Sequence, residues 1–237
     1  MCVTGTVVGH MHQRWALTQI QKKADKMMKL YTVPLAPNPM RVTLYCAERE
    51  ALGCHFDIER VIVNTLKAAH KQPEHLQRNP WGTLPVLELP SGRFITESLS
   101  IIDYLEAAVE GPTLIPTDPE GMALARNLER VVEMRITYDL AWYVHAQKSP
   151  LGLTPDPAKA AELASRIQPG FDYVEGELSD GRAFLGGDAP GVADCTLAAF
   201  LQFMRYTETD LLGDRPALRA WDASYRERDH VQSLFLL

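Results

Sequence analysis

Cysteine is scarce in this sequence. Four residues, Cys2, Cys46, Cys54 and Cys195, are spread over 237 positions with no C-x-x-C pair. Structural disulfides are not expected from such usage, no metal is expected, and a reducing, cytoplasmic setting fits it best. Positive charge is also short. Lys and Arg total 24 against 30 Asp and Glu, for a net charge of −6. Nothing here draws the chain to nucleic acid or to an anionic membrane, both of which need clustered cations. Long apolar runs are absent too, and none approaches the roughly 20 residues of a membrane span. Val3–Val8 is short, broken by Gly and Thr, and followed by no small-residue cleavage site. Residues 1–27 hold a single Arg and no Ser, unlike a transit peptide. They are expected to be a disordered extension, or the product of an upstream start before Met27 or Met28.

What is present is an ordinary soluble composition, 46% hydrophobic and 23% charged, long enough for one or two domains. The chain changes character near residue 110. In the first half, Met28–Val33 reads as a strand and Pro34–Pro39 as a turn with three prolines. Met40–Leu52 has a helical pattern stopped by Gly53, and residues 56–63 suggest a second strand. Pro73–Arg78 is a short helix. Val86–Leu89 and Arg93–Ile95 are strands joined across Pro90-Ser91-Gly92, and Ser98–Val109 is a closing helix. The order β-α-β-α-β-β-α predicts a thioredoxin-like α/β domain over 28–110. The second half lacks strand signals. Apolar spacings of three and four mark helices over Pro119–Gln147, Pro157–Leu178, Val192–Tyr206 and Pro216–Arg228. An all-α domain over 118–237 follows a linker punctuated by Gly111, Pro112 and Pro116.

The segment richest in chemistry runs from Asn79 to Ser98. Pro85 opens a strand, where its missing N–H breaks no ladder bond. The Leu84–Pro85 bond is either an ordinary turn proline or a cis bond. A cis bond would turn the Leu84 main chain outward, free to pair with an extended peptide as an added strand. Ser98 is a good N-cap for the closing helix. The N–H groups of that helix end attract a carboxylate, while Glu97 beside them suits an ammonium group. Side by side they match an amino-acid terminus. The plainer reading is a capping Ser beside a solvated Glu.

The fragments LYTVPLAPNPMRVTLYCAE (30–48) and HKQPEHLQRNPWGTLPVLELPSGRFITES (70–98) resemble the N-terminal domain of cytosolic glutathione transferases. The likeness is strongest to bacterial and fungal members with a P-N-P-x-R-V or P-Y-P-x-R-V turn, and extends loosely into the helical half. It implies glutathione as co-substrate, a small apolar electrophile, a role in detoxification and a homodimer. It also implies a residue set. Leu84 would pair through its backbone with the cysteinyl unit, and Pro85 would be the cis-proline. Glu97 and Ser98 would hold the γ-glutamyl end. His70 and Lys71 match an H-K pair near the glycyl end in the plant phi class. Thr83 stands where Gln or Lys is common. Asp194 resembles the acidic member of the family's helix-capping box, with Gly191 in place of the usual Ser or Thr.

The transferase reaction needs a thiolate. A free thiol ionises near pH 8.5, and lowering that by two units takes about 2.7 kcal/mol of preferential thiolate stabilisation. Alignment on Met40-Arg41-Val42 puts Ala36, whose side chain has no donor, where the family would place a catalytic Ser. No Cys is near, so a disulfide mechanism is not expected. Tyr31 reads as core. Asn38 is the polar candidate left in the turn. Asn38-Pro39 reads as N-cap plus first helical residue, with the amide free to donate to sulfur. The plainer reading of Asn38 is capping alone. Arg126, Arg130, Tyr138, Trp142, Tyr143 and His145 on the first long helix of the second half offer positive potential and an aromatic wall. A fold that keeps the site and loses the chemistry, and another glutathione-dependent reaction (isomerase, dehalogenase or peroxidase), are the competing readings.

Overall fold

The computed structural model describes residues 27–236. The extension expected over residues 1–27 therefore lies, apart from Met27, outside the described residues. The first half contains β1 (Met28–Thr32), α1 (Pro37–Ala51), β2 (Ile58–Ile62), α2 (Pro73–Arg78), β3 (Val86–Glu88), β4 (Phe94–Ile95) and α3 (Ser98–Ala108). Two single-turn helices at 65–67 and 69–71 sit between β2 and α2. The sheet order is β2-β1-β3-β4. β2 runs parallel to β1, while β3 is antiparallel to both β1 and β4. This is the predicted α/β arrangement, with the β2-β1 pair joined by the α1 crossover.

Alternation along β1 sets the two sheet faces. Met28 and Leu30 join the main core with Leu87, Val42, Ile101 and Leu105 from β3, α1 and α3. Tyr31 faces the other way and packs with Val63 and Val86. Tyr31 is thus core, as its position in the strand implied, and its hydroxyl donates to Glu88 at 2.6 Å.

The second half is helical: α4 (Pro119–Val132), α5 (Tyr138–Lys148), α6 (Pro157–Leu178), α7 (Val192–Arg205), α8 (Pro216–Arg226) and the four-residue α9 (Asp229–Gln232). Residues 192–204 of α7 are all buried, as expected of a helix enclosed on every side. α7 packs against both α1 and the other helices, so the two halves share one continuous core. Arg49 ties the linker down. Its guanidinium donates to the carbonyls of Pro112, Leu105 and Val109 at 2.8 to 3.0 Å, joining the Val109 N–H on the Leu105 carbonyl and fastening the linker to the end of α3.

The sequence pattern over 119–147 suggests one uninterrupted helix. The structure instead inserts a wide turn at Glu133–Thr137, in which the Tyr138 N–H reaches back to the Glu133 carbonyl. One extra residue is accommodated there. The turn lies against Gly170 of α6, where an added Cβ would fall 2.7 Å from the Arg135 carbonyl oxygen. Glycine follows Pro169 at that point because no side chain fits. At the start of α7, Asp194 accepts from the N–H groups of Gly191 and Leu185, each at 2.9 Å. It also accepts from the Trp221 indole at 2.9 Å. This is the acidic half of a capping box, since Gly191 has no side chain to return the bond. Burial raises the Asp194 carboxyl to about 6.

Candidate functional site

The turn after β1 is shorter than expected, with the helix cap two residues earlier. α1 starts at Pro37 with Ala36 as N-cap and no capping side chain. Asn38 is therefore not the N-cap, and Pro39 is not the first helical residue. The Ala36 carbonyl accepts from Met40 N–H at 3.0 Å, which draws both prolines into the first turn. Proline has no N–H, so Pro37 and Pro39 remove two donors that a helix start normally presents. Asn38 is left as the donor-bearing residue of this turn. Its side chain is exposed, and its Oδ1 accepts from Arg41 Nη2 at 2.6 Å. The Ser98 hydroxyl approaches the same oxygen at 3.4 Å. With the oxygen occupied, the Nδ2 donors face away from Arg41.

α3 starts at Ser98 as expected, but its cap is not the expected one. Glu97 is its N-cap and Ser98 its first helical residue, because the Glu97 carbonyl accepts from Ile101 N–H at 2.8 Å. Ser98 is thus not a cap. Its hydroxyl is buried and turned toward Asn38, which brings the starts of α1 and α3 together. Glu97 is exposed beside them.

The Leu84–Pro85 bond is cis. Among the described residues no hydrogen bond reaches the Leu84 N–H or C=O, while the Leu84 side chain packs on Tyr31, Val63 and Val86. The preceding loop is held from below. His75 Nε2 and Asn79 Nδ2 each donate to the Thr83 carbonyl at 3.0 Å. Asn79 also donates to the Thr83 hydroxyl at 2.9 Å. His70 and Lys71 share a single helical turn with Ala69, which packs into the Tyr31 cluster. Lys71 Nζ donates to the carbonyls of Gly82 at 3.0 Å and Trp81 at 3.3 Å. Gly82 sits at φ +59°, and a Cβ there would lie 2.9 Å from the His70 carbonyl oxygen. Only glycine lets Lys71 cross this turn. Burial pushes the His70 imidazole below its ordinary value.

Reading residues in isolation missed a cluster at the junction of the two halves. Arg41, 1% exposed, reaches from α1 to Glu133 Oε1 at 3.4 Å and to Glu129 Oε1 at 3.8 Å. Burial, with Glu133 beside it, raises the Glu129 carboxyl to about 7. The only signal was the pair of acids four apart, on one helix face, opposite an unassigned Arg.

The glutathione S-transferase N-terminal domain family matches residues 36–108, and the corresponding C-terminal domain family matches 157–221. Glutathione S-transferase 2 of Saccharomyces cerevisiae is 30% identical over 217 residues, covering 90% of this chain and 91% of the yeast protein. The chain belongs to the cytosolic glutathione S-transferase family. The crystal structure of Gtt2 from S. cerevisiae superposes with a TM-score of 0.77 at 29% identity, covering 87% of this chain and 99% of that one. Another similar protein is a maleylacetoacetate isomerase from Rhizobium meliloti, 33% identical over 64% of this chain and 71% of its own length.

In this family member the residues expected on one long helix over 119–147 divide between α4 and α5. Tyr138, Trp142 and His145 line a cavity of about 430 Å³ with Leu153, Leu163 and Arg166. Burial lowers the His145 imidazole below its ordinary value. Tyr143 is not part of that wall. It is buried, and its hydroxyl pairs with Thr209 at 2.8 Å. Arg126 pairs with Asp103, and Arg130 with Glu133, so neither projects toward Asn38 as an unpaired charge.

Proposed function

We propose that this protein conjugates the glutathione thiol to a small apolar electrophile. The carrying observation is the unpaired Leu84 main chain at the head of β3, beside the joined starts of α1 and α3. An extended peptide adding to Leu84 N–H and C=O continues the sheet by one short strand. Its γ-glutamyl carboxylate then meets the first N–H groups of α3 at Ser98, and its ammonium meets Glu97. Lys71 keeps a third ammonium donor beyond its two carbonyls, which with His70 serves the glycyl carboxylate. Thr83, pinned by Asn79 and His75, and cis Pro85 hold Leu84 in place. The binding half spans 28–110, and 118–237 supplies the electrophile side. A cytoplasmic homodimer acting in detoxification is the setting we assign.

Asn38 is the thiol-activating residue in this scheme. Its Nδ2 and main-chain N–H are the donors at a helix start stripped of others by Pro37 and Pro39. Preorganised donors of this kind favour the thiolate over the thiol. The thiolate carbon–sulfur bond then forms by substitution with loss of a leaving group, or by addition with later protonation of the acceptor carbon. Retention on immobilised glutathione, followed by conjugation of a chloronitrobenzene, tests the reading. Binding with turnover supports it, and failure to bind sinks it. A non-catalytic role is favoured by one feature, Ala36, and predicts binding without turnover of any electrophile. The likeness to the R. meliloti isomerase supports a second enzymatic reading, in which glutathione is regenerated and no conjugate accumulates.

A further inference from the structure

Asn38 has two faces of nearly equal shape, a carbonyl oxygen and an NH₂ group. Turned one way it offers donors to a bound sulfur. Turned the other way it offers an oxygen, which repels a thiolate. Something must choose, and Asn38 itself is exposed at the surface of the turn. The chooser is visible three residues on. A guanidinium donates and never accepts, so the face of Asn38 toward Arg41 has to be the oxygen, found at 2.6 Å from Nη2.

Arg41 is in turn fixed from the other half of the molecule. Both terminal nitrogens lie 3.4 Å from Glu133 Oε1. Glu129 Oε1 lies 3.8 Å from Nη1, and the guanidinium carbon stands 5.2 Å from the ring centre of Phe200 on α7. Arg130 holds the second Glu133 oxygen at 3.0 Å. The wide turn that begins at Glu133 and the Gly170 contact behind it set where that carboxylate stands.

We propose that Arg41, anchored by Glu133 and Glu129 across the domain junction, is the positioning residue that locks the Asn38 amide with its donors toward the bound thiol. The helical half thereby controls thiol ionisation in the other half. The inference rests on the assignment of Asn38 as the thiol donor.

The test is the pKa of the bound glutathione thiol, read from thiolate absorbance, in Arg41→Lys, Asn38→Ala and the double variant. Lysine keeps the charge and loses the fork that spans Asn38 and Glu133. Arg41→Lys is expected to raise the bound thiol pKa by about half a unit to one unit, a threefold to tenfold loss of thiolate at neutral pH. The shift should vanish when Asn38 is already alanine. Where Arg41→Lys does not fold, Arg41→Met combined with Glu129→Gln balances the buried charge and carries the same comparison. Equal shifts with and without Asn38 would overturn the proposal, since Arg41 would then act by its field alone. So would no shift from either Arg41 variant while Asn38→Ala gives one. If Asn38→Ala itself leaves the thiol pKa unchanged, the assignment of Asn38 fails and the relay fails with it.

Discussion

Replacing Asn38 by alanine removes two things together: the donors toward the thiol, and the oxygen that accepts from Arg41 at 2.6 Å and from Ser98 at 3.4 Å. Asn38→Asp separates them. The carboxylate still accepts from Arg41, but its side chain donates nothing. The magnitude follows from the sequence of this turn. Pro37 and Pro39 carry no N–H, so few other donors substitute for Nδ2. A hydrogen bond to a charged group contributes about 1.5–3 kcal/mol, equivalent to roughly 1–2 pKa units. Asn38→Ala should therefore raise the bound thiol pKa by about 1–2 units, leaving kcat/KM near pH 6.5 roughly 10- to 100-fold lower. Asn38→Asp should raise it at least as far, because a carboxylate pinned by Arg41 beside the sulfur opposes the thiolate. The deficit should shrink at alkaline pH, where the thiol ionises unaided. Thiolate absorbance of the glutathione complex, titrated over pH, gives the first quantity, and initial rates with a chloronitrobenzene give the second. An unchanged thiol pKa in both variants, or wild-type behaviour in Asn38→Asp, would refute the reasoning.

Two further outcomes follow from the same structure. Burial raises the Glu129 carboxyl to about 7, above the value near 4.3 of an unfolded chain, so the fold binds this proton more tightly. The stability it confers is complete below about pH 4 and is lost as pH climbs through about 7. In urea unfolding, wild type should lose roughly 1–3 kcal/mol relative to Glu129→Gln between about pH 5 and 8, and parallel pH profiles would reject this. Gly82→Ala forces a Cβ to within 2.9 Å of the His70 carbonyl oxygen and 3.0 Å of Lys71 Nζ, at φ +59°. It should cost about 1–3 kcal/mol of stability and weaken retention on glutathione resin, whereas unaltered retention would show that Lys71 need not cross this turn.

Much of the fold was legible because proline and apolar spacing agree locally. Pro73–Arg78 and Pro157–Leu178 begin and end where the sequence placed them, each with proline in the first turn, where its missing N–H is harmless. The caps expected at Asn38 and Ser98, observed two residues earlier at Ala36 and one earlier at Glu97, have a common cause. Asn38 and Ser98 are good caps by type, but in both helices the preceding residues supply the first carbonyl acceptor. Displaced from capping, the two side chains were free to meet each other across 60 positions of sequence. The wide turn at Glu133 left no trace in the apolar rhythm of its own helix. Its cause lies in α6, where Gly170 makes room. The Arg41–Glu133 contact joins residues 92 apart, and no spacing rule reaches that far.

The junction is an expensive one on stability grounds alone. A buried Arg facing two carboxylates loses solvation that mutual attraction only partly restores, and apolar residues of similar volume often do as well or better. Arg41 Nε and Glu129 Oε1 are buried without hydrogen-bond partners, so this cluster is not even fully satisfied. An apolar junction would join α1 to α4 and α7 without those costs. It would leave Asn38 free to turn its oxygen toward the sulfur, and Ala36 offers nothing in its place. Two features that look like separate weaknesses, a missing hydroxyl at the thiol turn and an under-satisfied charge cluster behind it, then have one explanation. With no hydroxyl at position 36, thiol ionisation depends on an amide, and an amide is only as good a donor as the group that fixes its orientation.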